Sequence, residues 1–157
     1  MPQTILYECF NLTLPKGTGI KTYARNLAAI AGDLGYETHA LLQSGRKLSR
    51  TDPVMAEIGF YEAAPRANWK RRFVAEPLER LTGAPFGVRA RTVPRTGVVV
   101  HRDDATGDFG QVHASYMFTQ KARRHFQRFG RMATLKLDAK PDLFHATHAV
   151  PVKVKGC

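Results

Sequence analysis

The chain has 157 residues, 43% of them apolar, and its 24 lysines and arginines against 13 aspartates and glutamates give a formal net charge of +11. That length and apolar share suit a single domain with one core and exclude a chain that is disordered throughout. No apolar run approaches the roughly 20 residues needed to cross a bilayer, and Glu8 interrupts any signal-peptide core, so a cytoplasmic protein is expected.

Two cysteines, Cys9 and Cys157, make neither a disulfide framework nor a metal-site spacing, and both are expected to be free thiols. The charge implies attraction to polyanions, whether nucleic acid, anionic lipid or a soluble ligand carrying phosphates.

In chain order, Ile5, Leu6 and Tyr7 read as a short strand, followed by the turn Lys16-Gly17-Thr18-Gly19-Ile20. Such a turn leaves unpaired backbone N–H groups at a helix start, and phosphate is their commonest partner. Ile20, Tyr23, Ala24, Leu27, Ala31 and Leu34 then recur at helical spacing, which predicts a helix docked on a sheet. Gly35 can take the left-handed conformation that ends it, and Glu37 to Leu42 reads as a second strand. The opening is a βαβ unit with parallel strands and a right-handed crossover.

Ile58, Phe60 and Tyr61 read as a short strand, and residues 64 to 95, rich in arginine, proline and glycine, as a basic excursion from the core. Thr96 to His101 resembles a strand buried on both faces. From Tyr116 to Leu137 the spacing predicts one long helix, with Phe118, Ala122, Phe126, Phe129 and Ala133 packing and Lys121, Arg124, Arg128 and Arg131 in solvent. Pro141 breaks it, and Asp142 to Ala146 reads as a further parallel strand ending in Thr147-His148. The fold class expected is α/β, a Rossmann-like parallel sheet flanked by helices.

In an open parallel sheet, ligands lie outside the carboxyl ends of the strands. The turn at residues 15 to 20 and the loop at residues 145 to 148 each follow a strand, so both should overlook one cleft. The third spaced glycine of the dinucleotide fingerprint is missing, because Thr22 and Tyr23 stand there. A tight turn needing small residues for packing is the plain alternative. His148, just past a strand end, can donate to a sugar hydroxyl or phosphate oxygen or take a proton; a loop histidine bonded to backbone is the bland reading. His145 lies within the strand, where a buried, hydrogen-bonded histidine is the simpler expectation.

His39, His101, His113 and His125 show no metal-ligand spacing, and Asp103, Asp104 and Asp108 read as a solvated loop. Ser44, Ser49 and Ser115 lack the flanking glycines of a nucleophile elbow, which disfavours hydrolase chemistry. Trp69-Lys70-Arg71-Arg72-Phe73 sets aromatics beside cations, suited to a lipid head-group boundary or to single-stranded nucleic acid.

Gly17-Thr18-Gly19-Ile20 with Tyr23-Ala24-Arg25-Asn26-Leu27, then Leu34-Gly35-Tyr36-Glu37, resembles the N-terminal domain of family 4 glycosyltransferases of the GT-B fold. Pro141-Asp142-Leu143-Phe144-His145-Ala146-Thr147-His148 is similar to the strand and loop that line the sugar cleft in that family. The resemblance covers both ends of the chain but not residues 64 to 115. It implies transfer of a sugar from a nucleotide-sugar donor to a glycan or lipid-linked acceptor, with no metal and no other cofactor.

Under that resemblance Gly17 and Gly19 would lie near the donor diphosphate, with Thr18 at the cleft mouth. His148 would act on the transferred sugar or the acceptor as the catalytic candidate, with His145 beside it. The whole chain would be one acceptor-side domain. Peripheral attachment at the inner membrane face, through anionic lipid, would account for the charge. The second, nucleotide-gripping domain of the family has no counterpart here, so the resemblance implies a truncated chain, a fragment or half of a split enzyme, inactive alone.

Two other readings compete. A basic nucleic-acid-binding module is supported by the charge and by Trp69 and Phe73, but no RNA or DNA motif is present, and no nucleic-acid partner is expected under the leading reading. A small Rossmann-type enzyme with a nucleotide cofactor is weakened by the incomplete glycine fingerprint.

Overall fold

A computed structural model describes residues 2–13, 19–62, 88–99 and 106–157. The core is a five-stranded sheet built from β1 (Thr4–Glu8), β2 (Glu37–Ser44), β4 (Arg91–Thr92), β5 (Gln111–Tyr116) and β7 (Leu143–Ala146). Its order is β4-β5-β2-β1-β7, with β5, β2, β1 and β7 mutually parallel and β4 antiparallel at the edge. A second, parallel sheet joins β3 (Val88–Arg89), β6 (Ala133–Lys136) and β8 (Val152–Val154). The protein is thus an α/β fold, as the strand and helix periods required.

The opening βαβ unit forms as expected. β1 pairs in parallel with β2, Leu6 opposite His39 and Glu8 opposite Leu41. Between them α1 (Gly19–Asp33) buries Ala24, Ala28 and Ala31, and Gly35, at φ 87°, makes the left-handed exit. The packing seam is narrower than the sequence pattern implies: Ile20, Tyr23 and Leu34 stay exposed, because the small alanines let the helix approach the sheet along a single line.

Four expectations fail. Ile58, Phe60 and Tyr61 belong to a helix, α2 (Pro53–Tyr61), whose start is fixed by Asp52 accepting from the Met55 N–H at 3.1 Å and by Pro53 in the first turn. Residues 96–99 form no strand, and Val98 is 69% exposed. Buried Glu57 of α2 accepts from both the N–H and the hydroxyl of Thr96, and so takes a donor that a strand would give to its ladder. The remainder of that stretch, residues 100–101, and residues 64–87 of the basic excursion lie outside the described residues; from Val88 to Thr92 the chain forms β3 and β4.

The long helix is the third correction. α3 runs only from Phe118 to Phe129, because Gly130, at φ 62°, caps it with its N–H on the Phe126 carbonyl, and Ala133 belongs to β6. Phe118 and Ala122 are buried, but Phe126 and Phe129 overhang the core and are nearly half exposed, which is the fourth. The cationic stripe is therefore split, with Arg131 beyond the helix, and Lys121 lies over the Tyr116 ring.

The large sheet has a core on each face. One joins Leu6, Leu41, Phe118 and Ala122 to Leu135 and Val154 of the small sheet, while the other joins Tyr7, Ala40, Leu42 and Phe109 to Ala28 of α1. Burial of each such leucine or phenylalanine contributes about 1.5–3 kcal/mol. No helix among the described residues is long and apolar enough to cross a membrane.

Candidate functional site

Counting only parallel strands of the large sheet in chain order, β1, β2, β5 and β7 lie as third, second, first, fourth. The chain therefore reverses its direction of travel across the sheet between β1 and β7, which makes this edge a topological switch point, the place where sheets of this kind bind ligands outside the carboxyl ends of their strands. Glu8 ends β1 opposite Ala146, which ends β7, so Cys9 and Thr147-His148 emerge side by side at that edge.

Three groups converge there on the fully buried Glu8 carboxylate. The Phe10 N–H donates to Oε1 at 2.8 Å, the Thr147 hydroxyl lies 3.0 Å from Oε2, and His148 Nδ1 sits 2.6 Å from the same oxygen. The Thr147 hydroxyl also reaches the Glu8 carbonyl at 2.7 Å, which laces the two loops together. A short 3-10 helix, Phe10–Thr13, carries the Phe10 ring to 5.4 Å from the His148 ring, centroid to centroid. A buried charge persists only where donors surround it, and Glu8 has them.

A carboxylate can only accept, so Nδ1 of His148 carries the proton and the opposite nitrogen is defined. That nitrogen, Nε2, is buried and has no hydrogen-bond partner among the described residues. When neutral it accepts a proton or a hydroxyl hydrogen; when protonated it donates. Glu8 holds the ring by hydrogen bond, and the Phe10 ring packs tilted against it.

His145 occupies a neighbouring but separate environment. Its half-buried ring packs against Tyr7 at 5.5 Å and Tyr23 at 6.1 Å, on the α1 side of the sheet, away from the Glu8 carboxylate. Tyr23 stands about one helical turn beyond Gly19, so this contact brings the first turns of α1 over β7. Gly19 itself is exposed at the helix start, and an added methyl there would meet no atom of the described residues within 4 Å. Gly17 and Thr18 lie outside the described residues.

The thiol next to the site is quiet. Cys9 is free and buried, and its pKa is pushed well up, first by burial and then by the neighbouring Glu8 charge. Burial likewise raises Tyr7, with Cys9 and Tyr23 adding to the effect. Cys157 is also free, and its Sγ points at the Pro141 carbonyl. Among the described residues no group of three histidines, cysteines or carboxylates is placed to hold a metal.

Asp108, read from sequence as a solvated loop residue, lies exposed in a turn and accepts from Arg25 of α1 at 2.6 Å. Glu8 is the residue the sequence reading missed as a site component. Its only signal was an acidic residue closing an apolar strand, Ile5-Leu6-Tyr7-Glu8. No family model, curated protein or solved structure matches the chain, which stands as an α/β domain with a mostly parallel sheet.

Proposed function

We propose that this chain is the acceptor-side domain of a glycosyltransferase, which serves the transfer of a sugar from a nucleotide-sugar donor to a glycan or lipid-linked acceptor. The observation that carries the reading is the Glu8–His148 pair at the sheet's switch point, with Nε2 buried and unpartnered among the described residues. A histidine so held suits a polyhydroxylated substrate. Neutral, it accepts from an acceptor hydroxyl as the new glycosidic bond forms; protonated, it donates to an oxygen of the transferred sugar.

α1 follows β1, so its start belongs to the same sheet edge, and the helix dipole there favours the charge of a donor diphosphate. Gly17, Thr18 and Gly19 would approach that diphosphate through backbone amides, while His145 with Tyr7 and Tyr23 would form an aromatic wall beside the sugar. The transfer itself asks for no metal or other cofactor from this domain. The excess positive charge would hold the protein against an anionic membrane carrying a lipid-linked acceptor.

The test is a ligand titration followed by nuclear magnetic resonance on the histidine ring signals. Nucleotide sugars and simple glycans should shift the His148 signals and leave those of His125 in place, and His148→Ala should abolish the binding. If no sugar or nucleotide sugar moves His148 while generic oligonucleotides bind tightly with a steep salt dependence, the chain is a nucleic-acid-binding module instead.

A further inference from the structure

We infer that the cleft between the start of α2 and the β4 edge is a second binding site, for a small hydroxy acid held by its carboxylate. The cleft has a volume of about 340 Å3, and neither Glu8 nor His148 lines it. Its walls are the loop after β2 up to Asp52, the first turn of α2, and Arg89, Arg91 and Thr92 of β3 and β4, with Asp138 against Arg89.

Five charged side chains line the cleft, and three of them are already engaged. Asp138 accepts from Arg89 at 3.1 Å, and Asp52 accepts from the Met55 N–H at the start of α2. The other two, Arg50 and Arg91, have no hydrogen bond or ion pair among the described residues. Arg91 differs in this from the arginines beside it in the chain, since Arg89 holds Asp138 and Arg95 donates to the Thr106 carbonyl at 2.8 Å. It is also half-buried, so the side chain has given up water without gaining an acceptor.

A carboxylate supplies that acceptor in the two-pronged geometry a guanidinium favours. Three arginines against two aspartates leave one surplus positive charge on the wall, which matches a monoanion. A phosphate dianion would face Asp52 and Asp138 with one charge uncompensated.

Thr92 supplies the second, independent observation. This exposed residue lines the cleft, and its hydroxyl lies 3.2 Å from Nδ1 of buried His113. Nε2 of His113 lies 3.1 Å from Nδ1 of His39, and Nε2 of His39 lies 2.9 Å from a Glu37 carboxylate oxygen. The carboxylate can only accept, so it fixes both neutral rings with the proton on Nε2 and the acceptor at Nδ1. Thr92 must then donate its hydrogen inward. Its oxygen keeps lone pairs alone for the cleft, and these call for a donor on the ligand. Two guanidiniums for a carboxylate and one acceptor for a hydroxyl together describe a hydroxy acid.

The purified chain is titrated with acetate, glycolate and inorganic phosphate at constant ionic strength and about pH 8, where the rings are neutral, while backbone amide and histidine ring signals are followed. Glycolate should move the amides of Arg50, Arg91 and Thr92 together with the His113 ring, and bind about fivefold more tightly than acetate, with phosphate weaker than either.

Arg91→Gln should weaken glycolate binding by about tenfold or more, whereas Arg123→Gln, the same loss of charge on an exposed α3 residue outside the cleft, should change it less than about twofold. Thr92→Val should bring glycolate down to the affinity of acetate and leave acetate itself within about twofold. Equal weakening by the two arginine variants would reduce the effect to net charge and overturn the site, as would no movement of these amides with any probe. Phosphate binding as tightly as glycolate, or glycolate no tighter than acetate in the unaltered chain, would overturn the ligand class.

Discussion

Glu8 and His148 are 140 positions apart in the chain and 2.6 Å apart in the fold. The contact exists because β1 and β7 are parallel neighbours, ending in register at Glu8 and Ala146. It joins the first strand of the chain to the fourth parallel strand of the large sheet, and so fixes the geometry of the proposed sugar site.

This pair should be energetically coupled. Glu8→Ala strands up to three donors, those of Phe10, Thr147 and His148, each of which costs about 1–3 kcal/mol when buried without a partner. His148→Ala removes the ring packed against Phe10 and leaves the carboxylate short of one donor. Urea unfolding of the two single variants and the double variant should give a coupling of about 1–3 kcal/mol. Additive effects, within about 0.5 kcal/mol, would show that the contact contributes nothing of its own.

A second prediction concerns acid. Glu37 Oε1, His39 Nε2 and Nδ1, His113 Nε2 and Nδ1, and the Thr92 hydroxyl form a hydrogen-bonded chain across β2, β5 and β4, with steps of 2.9, 3.1 and 3.2 Å. Burial first, and His39 second, push the His113 pKa down from 6.5 to about 4, against a smaller opposing pull from Asp138. The unfolded chain therefore takes up this proton before the folded one does. The His113 contribution is complete above about pH 6.5 and drains as the pH falls towards about 4, by roughly 3 kcal/mol in all. His113→Gln should flatten the fall in urea midpoint between those limits, and an unchanged slope would assign the acid sensitivity elsewhere.

The legible part of this molecule is the part whose signals are local. The helix of α1 could be read because Ile20, Tyr23, Ala24, Leu27, Ala31 and Leu34 recur at helical spacing and Gly35 follows at the exit, and the strands on either side because each is a short apolar run. The small sheet was not legible. Two-residue strands such as Val88–Arg89 carry no period, and Ala133 continues the spacing of the preceding helix so well that β6 is masked by it. Gly130 was the available warning. In the site, His148 could be found from its place after a strand, but its partner could not, since nothing in a single sequence ties residue 8 to residue 148.

Two glycines at helix ends should respond in opposite ways to the same methyl group. Gly130 sits at φ 62°, a conformation that L side chains rarely adopt, so Gly130→Ala should cost about 1 kcal/mol although no atom of the described residues stands within 4 Å of the new carbon. Gly19 lies in the first turn of α1, outside the left-handed region and equally open, so Gly19→Ala should leave stability unchanged or raise it by up to about 1 kcal/mol. A glycine with no packing or conformational duty is then free to serve a ligand. If a diphosphate approaches these backbone amides, the Gly19→Ala methyl stands in its way, and nucleotide-sugar affinity should fall about tenfold in the stable variant. Undiminished affinity in that variant would remove Gly19 from the site, and a loss of stability would contradict the open geometry at the helix start.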